Sequence, residues 1–310
     1  MNKIDILIIS TKFDFSTDYV CVELNKRNEN YLRLNRDEFS KYKIIFDLDI
    51  GELKIIINEE NYYIDSSLKS VYFRAPTYFR ETYLKQFSTE EQLYNSQWMA
   101  FIRNLSYFED AIWVNNPNYI YKAENKLLQL KYAKEIGFLI PSTVITNDNN
   151  FTFIGKKAVK SLDTAIFTIN KQEAFFYTNI LNNDEYNDFD KSLCPIVIQE
   201  NLNPKIDYRV TVVGNNIYST KIIKNNCGIY GDWRKEKEDI NYISTHLPIE
   251  IENFCFQLLK KFNLNFGGID LILFNDNFYF IEINPTGEWA WLVDKANQKI
   301  YEGICDVLVN

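Results

Sequence analysis

The hydrophobic pattern at the start of the chain predicts alternating strands and helices. Residues 4–9 (IDILII) form a short apolar run, which is typical of a buried parallel strand. Residues 18–28 follow with apolar positions at helical spacing, and another strand is predicted near 31–34. A strand, a helix and a strand in this order indicate an α/β domain.

The first region continues with a mixed pattern that ends in a turn. Its further predicted elements are strands at 43–49, 52–57, 61–64, 70–73 and 111–114 and a helix at 89–108. The strands at 43–49 and 52–57 are predicted to form a hairpin around residues 49–51. The last strand runs into Asn115-Asn116-Pro117, which is a turn signal. We therefore predict an N-terminal domain at residues 1–118.

Strand patterns dominate the rest of the chain. Predicted strands cover 142–146, 151–153, 156–160, 164–169 and 194–199, and predicted helices cover 122–136, 248–262 and the tail from 294. Two hairpins are predicted, 206–213 with 216–224 and 267–274 with 278–284. We expect a central unit at 119–198 and a C-terminal unit at 199–310.

The composition excludes several classes of protein. The chain has 310 residues, 46% of them hydrophobic, and a formal net charge of −8. Proteins that grip a nucleic-acid backbone carry a basic surplus, so nucleic acid is not an expected partner. No apolar run approaches the roughly 18 residues of a membrane span, so no membrane is expected either. The five cysteines are widely spaced without a CxxC motif, which predicts free thiols and a cytoplasmic location.

The second predicted hairpin brings acidic and amide side chains together. If residues 275–277 form a three-residue turn, Asp270 lies directly opposite Glu282. Asn284 is two residues beyond Glu282 and shares its face of the strand. Two carboxylates and an amide oxygen suit Mg²⁺, which prefers oxygen ligands and shares them with phosphates. The other interpretation is a solvated hairpin face.

A second polar group follows the strand predicted at 194–199. Its members are Gln199, Glu200, Asn201 and Leu202, with Asp207 further along. Such a segment could meet a purine edge with its backbone and a ribose with the second carboxylate. A polar loop after a strand would have the same sequence, and this interpretation stays open.

Four basic residues stand out by their position. Lys126 starts a helix, Lys160 ends a strand, and Arg209 and Arg234 each follow an aspartate by two residues. Most lysines and arginines are solvated surface residues. Lys160 and Arg209 lie in otherwise apolar strand runs, where an unpaired charge is unfavourable.

Aromatic residues are frequent in the sequence around Arg74 and Arg80. They are Tyr62, Tyr63, Tyr72, Phe73, Tyr78, Phe79 and Tyr83. The pattern fits core and rim packing, and it also fits a groove for an extended peptide.

In their order, these features resemble the ATP-grasp ligases over about residues 112–293. The D-x-R and G-D-W-R pair resembles that of ligases that add glutamate tails to proteins. The fuller pattern is closer to the graspetide synthetases, the microviridin-type peptide maturases. The motifs that carry this resemblance are Val71-Tyr72-Phe73-Arg74-Ala75-Pro76, Asn115-Asn116-Pro117, Leu127-Leu128-Gln129-Leu130, Ile140-Pro141-Ser142-Thr143 and Asn284-Pro285-Thr286-Gly287-Glu288-Trp289.

The resemblance implies a fold, cofactors and residue roles. The expected fold is an α/β domain followed by a two-part ATP-grasp fold of the α+β class, and the expected cofactors are ATP and Mg²⁺. The implied roles are Lys126 and Lys160 on the phosphates, Gln199 to Leu202 on adenine, Asp207 on ribose, Asp270, Glu282 and Asn284 on Mg²⁺, and Arg209 and Arg234 near the reacting carboxylate. Arg74 and Trp233 are candidates for contact with a peptide substrate. The loop Ser161–Ala165 after Lys160 departs from the family because it lacks glycine.

The function implied is that of a peptide macrocyclase. It would activate Asp or Glu side chains of a ribosomal precursor peptide, with its leader and core, as acyl phosphates. Thr or Ser hydroxyls would then form ω-esters, or Lys amines ω-amides. Two alternatives stay open: a ligase that adds an amino acid to a peptide or protein, and a catalytically silent protein that only binds a peptide or nucleotide. A homodimer is also left open.

Overall fold

The computed structural model describes residues 2–74, 87–163, 166–169, 172–175, 177–188, 190–235 and 238–310. The helices are α1 (Phe15–Lys26), α2 (Thr89–Asn104), α3 (Pro117–Ala123), α4 (Lys126–Ile136), α5 (Asn183–Asn187), α6 (Ile249–Phe262), α7 (Ala290–Ala296) and α8 (Ile300–Val309), with short 3-10 helices at Arg36–Lys41, Leu105–Tyr107 and Trp233–Lys235. The strands are β1 (Asn2–Lys3), β2 (Ile6–Ser10), β3 (Tyr31–Asn35), β4 (Lys43–Asp47), β5 (Glu52–Ile57), β6 (Glu60–Ile64), β7 (Ser70–Phe73), β8 (Ile112–Val114), β9 (Thr143–Thr146), β10 (Lys157–Lys160), β11 (Ile166–Ile169), β12 (Gln172–Phe175), β13 (Asn179–Leu181), β14 (Ile196–Glu200), β15 (Ile206–Val213), β16 (Asn216–Lys224), β17 (Ile240–Thr245), β18 (Phe266–Phe274) and β19 (Asn277–Asn284). In this described part of the chain, every helix is too short or too polar to cross a membrane.

A parallel sheet in the order β3-β2-β7-β8 forms the centre of the N-terminal region. Strand β2 is buried along its whole length, as a parallel strand covered on both faces must be. Beside it lies a second sheet in the order β1-β6-β5-β4, in which β4 and β5 form the predicted hairpin. The α/β class predicted for this region is confirmed.

The central sheet has the antiparallel order β13-β10-β14-β9, and β11 pairs with β12 in a separate hairpin. The strand predicted at 151–153 is wrong, because these residues have no regular backbone pairing. Phe151 and Phe153 instead pack against the small core that contains Val159 and Tyr186. These two phenylalanines are hydrophobic because they pack on this core, not because they belong to a strand. Residues 164 and 165 of the strand predicted at 164–169 lie outside the described residues.

The C-terminal sheet is antiparallel, in the order β17-β16-β15-β18-β19. Both predicted hairpins are confirmed, and β17 is an edge strand that the sequence pattern did not indicate. Helix α6 packs on this sheet and buries Leu258 and Phe262 against Val210 and Val212 of β15. This sheet provides the rigid support for the polar side chains described below.

Two buried cores cross the domain boundaries that the sequence suggested. The helix predicted at 122–136 is two helices, because Asn125 caps the start of α4. Both helices belong to the core of α6 and the C-terminal sheet. Helices α7 and α8 likewise share a core with α1 and β2 at the other end of the chain. The boundaries at 118 and 198 stay predictions, and the second one falls inside β14, a strand of the central sheet.

All five cysteines are free, as their spacing predicted. Cys255 and Cys305 are buried, Cys21 is partly buried, and Cys194 and Cys227 are exposed. The two buried thiols belong to the cores of the C-terminal sheet and of the N-terminal parallel sheet.

Candidate functional site

Asp270 and Glu282 face each other across β18 and β19, as predicted, but the geometry differs from the expected one. The turn contains two residues, Asn275 and Asp276, both with positive φ, rather than three. Such a turn alone would pair Asp270 with Ile281. The register shifts between Asp270 and Leu271, and this bulge places Glu282 opposite Asp270.

The donor set at this point fits a hard cation. Asp270 and Glu282 supply carboxylate oxygens, and Asn284 donates from its amide nitrogen to Glu282 Oε1 over 3.3 Å, so its amide lies beside them. Among the described residues there is no cluster of three or more His, Cys, Asp or Glu side chains in a metal-binding arrangement. Two carboxylates and an amide suit Mg²⁺, which completes its shell with water and phosphate oxygens.

Three cations surround Glu282. Lys126 Nζ lies 2.5 Å from Glu282 Oε2, and Arg234 Nη2 lies 3.4 Å from Oε1. Burial alone would raise the pKa of the Glu282 carboxyl, but Lys126, Arg234 and Lys160 outweigh it and hold the pKa well below 4.5. The carboxylate is therefore ionised at neutral pH.

Asp270 is held from two sides by arginines. Arg209 Nη1 lies 2.8 Å from Asp270 Oδ1, and Arg234 Nη2 lies 2.7 Å from Oδ2. Arg209 is buried, and its Nη2 also donates to the carbonyl oxygen of Glu288 over 3.3 Å. A Cβ at Gly268 or Gly287 would lie 2.6 Å from this nitrogen, so a side chain at either position would displace the Arg209 guanidinium. Arg209 is thus fixed in place, whereas 41% of the Arg234 side chain is exposed.

An open cleft with a volume of about 110 Å³ lies between the central and C-terminal sheets. It contains most of the residues that the sequence singled out: Lys160, Gln199, Glu200, Asn201, Leu202, Asp207, Trp233, Arg234, Asp270 and Glu282. Apolar walls that the sequence did not indicate come from Ala158, Ile180, Ile272 and Ile281. A flat heterocycle fits between such walls, next to the polar edge of Gln199 to Leu202.

Lys205 is a cleft residue that the sequence reasoning missed. It lies just before β15, two residues before Asp207, and the charged groups of the two side chains form a buried ion pair. Burial raises the pKa of Asp207 to about 6 although Lys205 opposes this shift. The Lys-x-Asp spacing at the start of the strand was the signal that could have found it.

The raised pKa of Asp207 predicts pH-dependent nucleoside binding. If its carboxylate accepts hydrogen bonds from ribose hydroxyls, protonation between about pH 7 and about pH 5 should weaken adenosine binding at least about threefold. Adenosine is the right probe because it has no phosphate that titrates in this range. Calorimetry should show a flat pH profile for Asp207→Asn. The transition should move to higher pH in Lys205→Met, because Lys205 lowers the pKa of Asp207.

Lys160 projects into the same cleft near Glu282 but makes no direct ion pair with it. Neither a hydrogen bond nor an ion pair joins its Nζ to another residue in the described ranges. Burial lowers the pKa of Lys160. Glu282 raises this pKa, whereas nearby Lys126 and Arg234 lower it further. A partly buried cation that makes no direct ion pair in a cleft indicates an anionic ligand.

Arg74 lies away from the cleft. Its guanidinium contacts Asp14 at 2.9 Å, Glu288 at 3.2 Å and the carbonyl oxygen of Thr286 at 3.1 Å. It therefore joins the N-terminal sheet to the loop after β19, and its contact with a peptide stays a prediction. Of the aromatic residues near it, Tyr72 and Phe73 are buried in cores. Residues 75–86, which include Tyr78, Phe79, Arg80 and Tyr83, lie outside the described residues.

Comparisons with known proteins point to one fold. No family model matches the sequence, and a search of curated proteins found no match. Among solved structures, a RiPP-associated ATP-grasp ligase of Chryseobacterium gregarium, in complex with ADP and a leader and core peptide, is 28% identical with a TM-score of 0.81. That match covers 100% of this chain and 97% of the other. The chain has the ATP-grasp fold.

Other solved structures extend the similarity. Macrocyclase MdnC of Microcystis aeruginosa MRC, bound with precursor peptide MdnA, is 24% identical with a TM-score of 0.82, and the match covers 98% of this chain and 99% of that one. Macrocyclase MdnB of the same organism is 23% identical with a TM-score of 0.73, covering 98% and 99%. The ATP-grasp similarity therefore includes the N-terminal sheets, beyond the residues 112–293 that the motifs spanned. In this fold, the cleft between the central and C-terminal sheets holds the candidate site.

Proposed function

We propose that this protein is an ATP-dependent ligase that closes rings in a ribosomal precursor peptide. The observation that carries the proposal is the cleft itself, in which Lys160 faces the carboxylates of Asp270 and Glu282 without a direct ion pair. The similar ligase of Chryseobacterium gregarium was solved with ADP and a leader and core peptide, which supports both ATP and peptide as substrates. The free cysteines support a cytoplasmic location.

The residues of the cleft can be assigned to a nucleotide and a metal. Gln199 to Leu202 would meet the adenine, Asp207 the ribose, and Lys126 and Lys160 the phosphates. Asp270, Glu282 and Asn284 would hold Mg²⁺, which when bound would neutralise phosphate charge. Before any ligand binds, the ion pair of Lys126 with Glu282 and that of Arg234 with Asp270 already hold these two carboxylates in place.

The two arginines differ in what they can do. Arg209 is buried and engaged by Asp270 and the Glu288 carbonyl, so it suits the role of orienting Asp270. Arg234 is also paired, with Asp232, Asp270 and Glu282, but it is partly exposed at the cleft, where its guanidinium can exchange these partners for a substrate carboxylate. We therefore assign contact with the reacting carboxylate to Arg234 and positioning to Arg209.

The chemistry has two steps. A carboxylate oxygen of the peptide attacks the γ-phosphorus, ADP leaves, and an acyl phosphate forms. A Thr or Ser hydroxyl, or a Lys amine, then attacks the carbonyl carbon and inorganic phosphate leaves with the C–O electron pair. The enzyme contributes positioning and charge neutralisation, and neither step needs a His or Cys.

Mass spectrometry of the reacted peptide tests the proposal. The protein is incubated with ATP, Mg²⁺ and a candidate precursor peptide that contains Thr, Glu and Asp residues. We expect the loss of one water and the release of one ADP per ring, and mild base should restore the water of an ester but not of an amide. The gain of an amino-acid residue would instead indicate a tailing ligase. No mass change and no ADP release would indicate a protein that only binds.

A further inference from the structure

Two buried amide side chains hold the backbone around the candidate metal ligands from outside the cleft. Gln129 of α4 and Asn115, which follows β8, each expose only 1% of their surface. They belong to the motifs Leu127–Leu130 and Asn115–Pro117, whose residues are not among the described ones that line the cleft. Because a buried amide must be hydrogen-bonded, its partners indicate what it is there to hold.

Gln129 pairs with β19 as a neighbouring strand would. This strand lies at the edge of the C-terminal sheet, where backbone groups on its outer side need partners from elsewhere. Gln129 Nε2 donates to the carbonyl oxygen of Ile283 over 2.9 Å, and the Ile283 N–H donates to Gln129 Oε1 over 3.2 Å. Ile283 stands between Glu282 and Asn284, so these two bonds fix the backbone between the two candidate ligands.

Asn115 holds the end of the same segment. Its Nδ2 donates to the carbonyl oxygens of Pro285 and Phe266, each over 2.8 Å. Its Oδ1 accepts from the backbone N–H of Asn265 over 2.8 Å and from that of Phe266 over 3.0 Å. The amide thus forms all four hydrogen bonds that it can form. Together they tie the residue after Asn284 to the first residue of β18.

Helix α4 also contacts a ligand side chain. Lys126 is three residues before Gln129 on the same face of the helix, and its Nζ lies 2.5 Å from Glu282 Oε2. Gln129 Nε2 donates in addition to the carbonyl oxygen of Ala123 over 2.6 Å, which fixes the amide itself. The helix therefore sets the position of Lys126 and of the strand relative to each other. Such rigidity suits Mg²⁺, which demands near-ideal octahedral geometry at about 2.0–2.1 Å.

We propose that Gln129 and Asn115 are positioning residues, which hold Glu282 and Asn284 at the spacing that Mg²⁺ needs. This inference rests on the proposed function, because that function assigns the ion to these ligands. Neither amide touches the ion, and both act through the backbone on either side of Asn284. Outer partners of metal ligands typically change metal affinity by about 10- to 100-fold when they are replaced.

Metal binding by variants of the two amides tests the proposal. Mn²⁺ replaces Mg²⁺ as the probe, because it accepts the same oxygen ligands and its binding can be followed by electron paramagnetic resonance. With ADP bound to the full chain, Gln129→Met and Asn115→Ser should each weaken Mn²⁺ binding at least about tenfold. Adenosine, which needs no metal, should bind these variants and the wild type equally well. Gln129→Asn, whose amide is one methylene shorter, should show the same loss and serves if Gln129→Met does not fold.

The matched control is Gln298→Met. Gln298 is also a buried glutamine, and its Nε2 donates to the carbonyl oxygen of Ser219 on β16 over 2.9 Å. Strands β15 and β18 separate β16 from β19. This variant should lose thermal stability as Gln129→Met does, but it should bind Mn²⁺ with the affinity of the wild type.

The outcomes separate this proposal from the proposed function. Wild-type Mn²⁺ affinity in a folded Gln129 variant would overturn the role of Gln129, and the same result in Asn115→Ser would overturn that of Asn115. An equal loss of affinity in Gln298→Met would overturn both roles, since the effect would then be a general loss of stability. Ring formation by the wild type, with equal Mn²⁺ affinity in all variants, leaves the proposed function standing without the positioning roles. A loss of Mn²⁺ affinity confined to the Gln129 and Asn115 variants of a protein that forms no rings supports these roles and contradicts the proposed function.

Discussion

Glu282→Gln is expected to lower the rate of ring formation at least about tenfold, which corresponds to about 1.4 kcal/mol of activation free energy. The substitution keeps the shape of the side chain but removes the charge on which Lys126, Arg234 and Lys160 converge. It also removes one anionic ligand from the candidate Mg²⁺ site. The measurement is the rate of ring formation against Mg²⁺ concentration, on variants whose circular dichroism is native.

The control for this substitution is Glu135→Gln, which breaks an ion pair with Lys261 far from the cleft and should keep full activity.

The stability of the fold against acid provides a second readout for Glu282→Gln. Because the folded-state pKa of Glu282 is depressed, its charge stabilises the fold above about pH 4.5, and this contribution is lost as the pH falls. The melting temperature of Glu282→Gln should therefore depend less on acid than that of the wild type. Full activity with unchanged Mg²⁺ dependence would remove the metal assignment.

Lys160→Met is expected to raise the apparent KM for ATP at least about tenfold or to abolish turnover. The lysine is a partly buried cation in the cleft, so its loss removes charge that a phosphate group would meet. Adenosine, which has no phosphates, should bind the variant and the wild type equally well. Calorimetry with ADP and with adenosine on the same preparation measures both.

A matched control lies on the same strand. Lys157 is three residues before Lys160, so its side chain faces the other side of the sheet, and Lys157→Met should bind ADP normally. Because burial lowers the pKa of Lys160, its charged form costs folding free energy at neutral pH. Lys160→Met should thus melt no lower than the wild type. Unchanged ADP affinity in this variant would show that the phosphates bind elsewhere.

The carboxylate pair shows how far the sequence could predict the site. Apolar alternation on both strands and the turn residues between them were enough to predict the hairpin. The sequence also predicted that Asp270 and Glu282 are cross-strand neighbours, but this prediction assumed a three-residue turn. In the structure, a two-residue turn and a bulge at Ile281 bring the two carboxylates opposite each other. A bulge depends on packing between strands, which the residue pattern of a single strand does not reveal.

Features that depend on contacts between distant segments were not predictable. The apolar walls of the cleft, such as Ile180 and Ile272, come from two different sheets, and their sequence pattern is that of any strand. The aromatic residues around Arg74 in the sequence suggested that it binds a peptide, yet its guanidinium forms ion pairs with Asp14 and Glu288. Neither partner is near it in sequence, so only the folded chain brings the three together.

The core that joins α8 to β2 has a consequence for synthesis on the ribosome. Ile6 and Ile8 pack with Ile300 and Ile304, and Ser70 donates to the carbonyl oxygen of Leu308. About 290 residues separate the two halves of this core, so at roughly 5–20 residues per second the first half waits about 15 to 60 seconds for the second. During that time the apolar face of β2 and α1 lacks its cover and is open to chaperones or to other nascent chains. The N-terminal sheet can complete its packing only after the helix that covers it has left the exit tunnel.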